Sequence, residues 1–130
     1  MAGGVLVVED DEDIRADLAA ILRVKGFAVE EAANGKEALA HLRDGARPCL
    51  IVLDLMMPVM NGWELRTAML EEAALAHIPV VVVSGKGRIA ADEEATLAPA
   101  AVLVKPFELS ELLELVGRYC PRDGAAPAGR

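Results

Sequence analysis

The chain has 130 residues, 54% of them hydrophobic, and a formal net charge of -8. That is enough for one domain with a single core, and an acidic surplus with no Lys/Arg cluster argues against a nucleic-acid surface. No apolar segment approaches the roughly 20 residues that cross a bilayer, and the start MAGGVLVVEDD lacks the basic and apolar regions of a secretion signal. A cytoplasmic protein with no membrane or direct nucleic-acid partner is therefore expected. Residues 1–120 should form one domain and 121–130, PRDGAAPAGR, a flexible tail or the start of a linker. Cys49 and Cys120 show no metal-type spacing and are expected to be free thiols with packing roles.

In chain order, strand and helix patterns alternate five times. Val5 to Val8 is a short apolar run ending in Glu9, Asp10 and Asp11, followed by a helix with Ile14, Leu18, Ile21 and Leu22 at helical spacing and Gly26 as its stop. Phe27 to Glu31 is a weaker strand, and Asn34 a cap for a helix carrying Ala38, Leu39 and Leu42. The stretch Cys49 to Pro58, CLIVLDLMMP, is a continuous apolar run that ends in Asp54, the pattern of a strand buried on both faces. A third helix is expected from about Asn61 to Leu75, with Leu65, Ala68 and Met69 inward, and a fourth strand from Ile78 to Val83. Ser84-Gly85-Lys86-Gly87 is then a loop, Ile89 to Leu97 a short acidic helix, and Ala100 to Val104 a fifth strand ending at Lys105-Pro106. Leu109, Leu112, Leu113 and Val116 stripe a last helix that Gly117 and Pro121 should close.

Such alternation calls for a doubly wound parallel α/β sheet with right-handed crossovers and helices on both faces. All C-terminal strand ends then share one edge, the edge where open α/β sheets bind ligands. Glu9, Asp10, Asp54, Ser84 and Lys105 are delivered to it from four strands. Each has a bland explanation alone, as a loop cap or a solvated charge, but their convergence reads as a site. Three carboxylates close together repel unless they gain protons or a cation. A hard divalent ion such as Mg2+ suits oxygen ligands and a phosphoryl group, Lys105 and Ser84 can serve the remaining phosphoryl oxygens, and aspartate is a possible nucleophile in phosphoryl transfer.

At these residues the chain resembles the response-regulator receiver domains of two-component signalling, of the single-domain chemotaxis type. VLVVEDD is similar to the first strand and acidic pair of that family, LIVLDLMMPVMNG to its phosphorylation-site strand and loop, VVVVSG to its fourth strand, and VLVKPF to its lysine-proline strand end, together spanning about residues 4 to 119. The resemblance implies a flavodoxin-like strand order 2-1-3-4-5. It implies Asp54 as phosphoacceptor, Asp10 and Asp54 as Mg2+ ligands with the Met56 backbone carbonyl, Glu9 acting through water, Ser84 as switch hydroxyl and Lys105 as the phosphoryl-binding lysine. It also implies a sensor histidine kinase or phosphotransfer protein as donor, an output protein at the face of helix four, strand five and helix five, and no enzyme in the ordinary sense.

Asp11, one place past the acidic pair, reads as a helix cap or bystander. The family's usual aromatic three residues before the lysine is replaced by Val102, and LAPAA departs from the usual approach to the fifth strand, so the switch and the fourth helix are expected to differ in detail. An unphosphorylated interaction module of the same shape is the alternative, and the intact acidic, hydroxyl and lysine set argues against it. A phosphatase would want an Asp where Met56 stands, and a flavin site a Ser/Thr/Gly-rich loop where EDDED stands. His41 and His77 are expected at the surface and Trp63 in packing near the site.

Overall fold

The computed structural model describes residues 4–85 and 89–121. The strands are β1 (Val5–Val8), β2 (Val29–Ala32), β3 (Leu50–Asp54), β4 (Val80–Ser84) and β5 (Ala101–Val104). The helices α1 (Glu12–Val24), α2 (Gly35–Arg43), α3 (Gly62–Leu70), α4 (Ala91–Leu97) and α5 (Leu109–Tyr119) alternate with them. All pairings are parallel, in the order β2-β1-β3-β4-β5, which is the expected doubly wound, flavodoxin-like arrangement. No helix among the described residues is long and apolar enough to cross a membrane.

The inner strands β1, β3 and β4 are Val/Leu/Ile runs, interrupted only by Asp54 and Ser84 at their ends, because helices cover both sheet faces. Every residue of β1, β3 and β4 is buried. Strand parity sorts the core into two halves. Leu6, Val8, Ile51, Leu53, Val80 and Val82 face α2, α3 and Leu97 of α4, whereas Val5, Val7, Leu50, Val52, Val81 and Val83 face Leu22 of α1 and Leu112 and Val116 of α5.

Local chemistry sets the helix ends. Asp11 caps α1, its Oδ1 accepting from Ile14 N at 3.0 Å. Gly26, at φ 98, ends that helix in a Schellman turn: Gly26 N donates to Arg23 O and Phe27 N to Leu22 O, both at 3.0 Å. That turn consumes Phe27, so β2 begins at Val29 and not at Phe27. Asn34 caps α2 through Glu37 N, and Asn61 and Glu64 form a reciprocal capping box on α3, each bond 2.9 Å.

Further expectations need correction. α3 stops at Leu70, short of Leu75, because Glu71 and Glu72 would place negative charge at the negative end of the helix; Glu72 instead pairs with Arg43 of α2 at 2.7 Å. Gly117 does not end α5 but lies inside it, and Cys120 is the C-cap. Cys49 and Cys120 are not free thiols. They form a disulfide across 71 residues of sequence, with Cα atoms 5.4 Å apart, because α5 runs back along the sheet and sets its last turn beside the start of β3. Lys86, Gly87 and Arg88 of the expected loop, and the expected tail beyond Pro121, lie outside the described residues.

Candidate functional site

In this strand order the chain reverses direction across the sheet between β1 and β3, and the crevice outside their C-terminal ends is where ligands bind in such sheets. Glu9 and Asp10 leave β1 there, and Asp54 is the last residue of β3. Their carboxylates offer oxygen atoms that all lie within 4.8 Å of one another. Lys105 enters from the end of β5, its Nζ 3.6 Å from Glu9 Oε1 and 3.9 Å from Asp54 Oδ2.

The backbone fixes this group closely. Asp54 is only 7% exposed, and its Oδ1 accepts from Met56 N at 3.2 Å. The loop after it is drawn back by Gly62 N, which donates to Leu55 O at 3.0 Å. A Cβ at position 62 would stand 2.8 Å from Leu55 Cα and 2.9 Å from Asp54 O, so only glycine lets the first turn of α3 come this close to the strand end. Glu9 Oε2 accepts from Asp11 N at 3.1 Å. Ser84 is buried at the end of β4, one residue past the Val83 that pairs with Asp54, and its carbonyl accepts from Lys105 N at 2.8 Å. Lys105-Pro106 is a cis peptide.

Burial pushes the Glu9 carboxyl up to about 7, against the pull of the Asp11 amide and Lys105 and with the added repulsion of Asp54. Three carboxylates face one ammonium, so an added cation would relieve the repulsion. Glu9, Asp10 and Asp54 fit a hard divalent ion in donor type and spacing.

Glu9, Asp10, Asp54 and Lys105 are thus brought together, with Ser84 on the adjacent strand end. Met56 sits at the rim, 45% exposed. His41 and His77 are exposed and away from this edge, and Trp63 is half-buried in the first turn of α3. Sequence reasoning missed Arg15, whose Nη1 donates to Glu9 O at 2.9 Å while its Nε meets Glu31 of β2 at 3.3 Å. Its signal was available, since Arg15 lies one turn beyond the cap Asp11 on the side of α1 that faces the sheet. A cavity of about 450 Å3 also opens beside Asp54, walled by Leu18, Val52, Val83 and Phe107, with Ile14 and Pro106 lining it too.

Fold and site together define a doubly wound α/β domain with an acidic pocket at its switch point. Residues 5–117 match the response regulator receiver domain family, and the chain belongs to that family. It is 42% identical over 123 residues to the transcriptional regulatory protein PrrA of Mycobacterium leprae, covering 93% of this chain and 51% of that protein. The chain thus spans about half the length of the first curated relatives it matches. A 14.6 kDa protein of Leptolyngbya boryana is 36% identical over 118 residues, covering 89% of this chain and 88% of that one. Among solved structures, chemotaxis protein CheY4 of Vibrio cholerae superposes with a TM-score of 0.79 at 31% identity, covering 92% of this chain and 99% of that one.

Proposed function

We propose that the chain accepts a phosphoryl group on Asp54 from a histidine kinase or phosphotransfer protein and changes its affinity for an output protein at the face made by α4, β5 and α5. The observation that carries this reading is the placing of Asp54 beside Lys105 at 3.9 Å, within a trio of carboxylates whose oxygens lie within 4.8 Å. A carboxylate oxygen of Asp54 attacks phosphorus, the P–N bond of the donor phosphohistidine breaks, and the electron pair returns to the imidazole nitrogen. Lys105 Nζ takes up one of the transferred oxygens and Ser84 a second, which spreads the charge that Asp54 has gained. Asp10, Asp54 and the Met56 carbonyl would hold Mg2+, with Glu9 acting through water, and the ion would neutralise phosphoryl charge during transfer.

Incubation with acetyl phosphate and Mg2+, followed by intact mass and peptide mapping, tests this reading. One phosphoryl group on the peptide containing Asp54 is expected, absent in Asp54→Asn and in excess chelator. A label that survives in Asp54→Asn, or an unlabelled wild type, overturns it.

A further inference from the structure

Arg66 stands among the inward-facing residues of α3, next to Leu65 and one turn before Met69, and is 5% exposed. No carboxylate among the described residues forms an ion pair with it. Its Nε donates to Leu97 O at 2.7 Å and its Nη2 to Ala98 O at 3.1 Å. Leu97 is the last residue of α4 and Ala98 its C-cap.

That helix has little of its own to end on. It is seven residues long, has no basic residue in its last turn, an N-cap Ala90 whose only side-chain partner among the described residues is Glu93 Oε1, accepting from Ala90 N at 3.2 Å, and a C-cap alanine in the left-handed region at φ 45, ψ 54. The positive charge that a helix C-terminus favours comes to α4 from α3. The hold is also incomplete. Arg66 Nη1 and Trp63 Nε1, one turn apart on α3, are enclosed without an acceptor among the described residues, while Asp92 and Glu93 of α4 line a cleft with Trp63. A helix held by one buried side chain, Leu97, and a neighbour's two bonds, beside donors that remain to be satisfied, is suited to having a second position.

We propose that Arg66 is a positioning residue: it holds α4 in its resting place and thereby lowers the readiness of Asp54 to accept a phosphoryl group. The inference rests on the phosphoacceptor reading above. If the phosphorylated state favours another placing of α4, whatever stabilises the resting place must weaken phosphoryl binding by the same factor.

Arg66→Met replaces a buried cation with an apolar chain of similar length and removes the bonds to Leu97 O and Ala98 O; Arg66→Lys keeps the charge but cannot span both carbonyls. Beryllofluoride, a phosphoryl mimic, is titrated with Mg2+ and followed by NMR at the amides around Asp54, and amide exchange is measured across α4. Arg66→Met is expected to reach half-saturation at on the order of fivefold lower beryllofluoride than wild type, with Arg66→Lys between them and with faster exchange near Ala98 in both. Midpoints equal to or above wild type overturn the proposal even if exchange quickens, because that pattern is a merely structural cap. Should Arg66→Met not fold, the midpoint of the lysine variant decides alone. A wild type that takes up no beryllofluoride overturns the phosphoacceptor reading beneath it; uptake by wild type with unmoved variants overturns the role of Arg66 only.

Discussion

The two edges of the sheet are built on opposite terms. At the C-terminal edge Glu9, Asp10 and Asp54 crowd three carboxylates together, two of them against Lys105, and a buried carboxyl is pushed up to about 7. Among the described residues the N-terminal edge carries no such conflict. There Cys49 N bonds Gly4 O at 3.1 Å, Val5 N bonds Ala28 O at 2.8 Å, Ile51 N bonds Pro79 O at 3.0 Å, and a disulfide ties the start of β3 to the end of α5. One edge spends stability on a reactive site and the other restores it, so the two should respond separately to mutation.

The largest break in that comparison is at the stabilising edge. Replacing Cys49 and Cys120 together with alanine should lower the unfolding free energy by roughly 2–4 kcal/mol, read from denaturant midpoints, while Asp54 still takes phosphate at the wild-type rate. An unchanged midpoint under non-reducing conditions would show that this edge does not depend on the bond.

At the other edge, the Glu9 carboxyl binds its proton more tightly in the folded chain than its ordinary value of 4.5 implies. Stability should therefore fall as pH rises from 4.5 through about 7, by up to about 3 kcal/mol, with little further change from this group above that window. Mg2+ should recover much of the loss at the alkaline end. Thermal melts of wild type and Glu9→Gln across this range, in chelator and in Mg2+, check it; identical pH slopes for the two proteins would remove Glu9 as the source.

Smaller effects sharpen the boundary of the reactive edge. Gly62→Ala improves helix propensity yet sets a Cβ against the backbone of Leu55 and Asp54, so a net loss of about 2 kcal/mol is expected, with weaker Mg2+ binding measured by titration. Asn61→Ala removes half of the capping box and should cost about 1 kcal/mol, with the disulfide edge unaffected by amide exchange. A stabilised Gly62→Ala would mean that α3 can back away from Asp54 without cost.

The alternation of elements, the parallel sheet and all five residues that its C-terminal edge gathers were legible in the sequence, because apolar runs ending in charge report strand ends directly. Boundaries slipped where side chains had competing uses: Phe27 belongs to the turn at Gly26, and Glu72 reaches Arg43 in place of prolonging α3. Cys49 and Cys120 could not be paired in advance, since their meeting depends on how α5 lies across the sheet. Arg66 was hidden for a similar reason. Its neighbours Leu65 and Met69 mark the buried side of α3, but its partners are 31 and 32 residues away and are backbone carbonyls, which have no signature in sequence.

The disulfide also divides the chain into a closed ring and an open arm. The ring runs from Cys49 to Cys120 and contains β3 through α5, hence Asp54, Ser84, Lys105, Arg66 and the end of α4. The open arm contains β1, α1, β2 and α2, hence Glu9, Asp10 and Arg15. Within the sheet, the seam between ring and arm is the ladder that pairs Val5 to Val8 with Leu50 to Leu53. It passes through the middle of the acidic pocket, so a fluctuation that parts β1 from β3 withdraws two of the three carboxylates while the groups that would grip a phosphoryl stay covalently enclosed together. The carboxylates of Glu9 and Asp10 belong to the arm and those of Asp54 with Ser84 and Lys105 to the ring, so the pocket is whole only while the seam is shut.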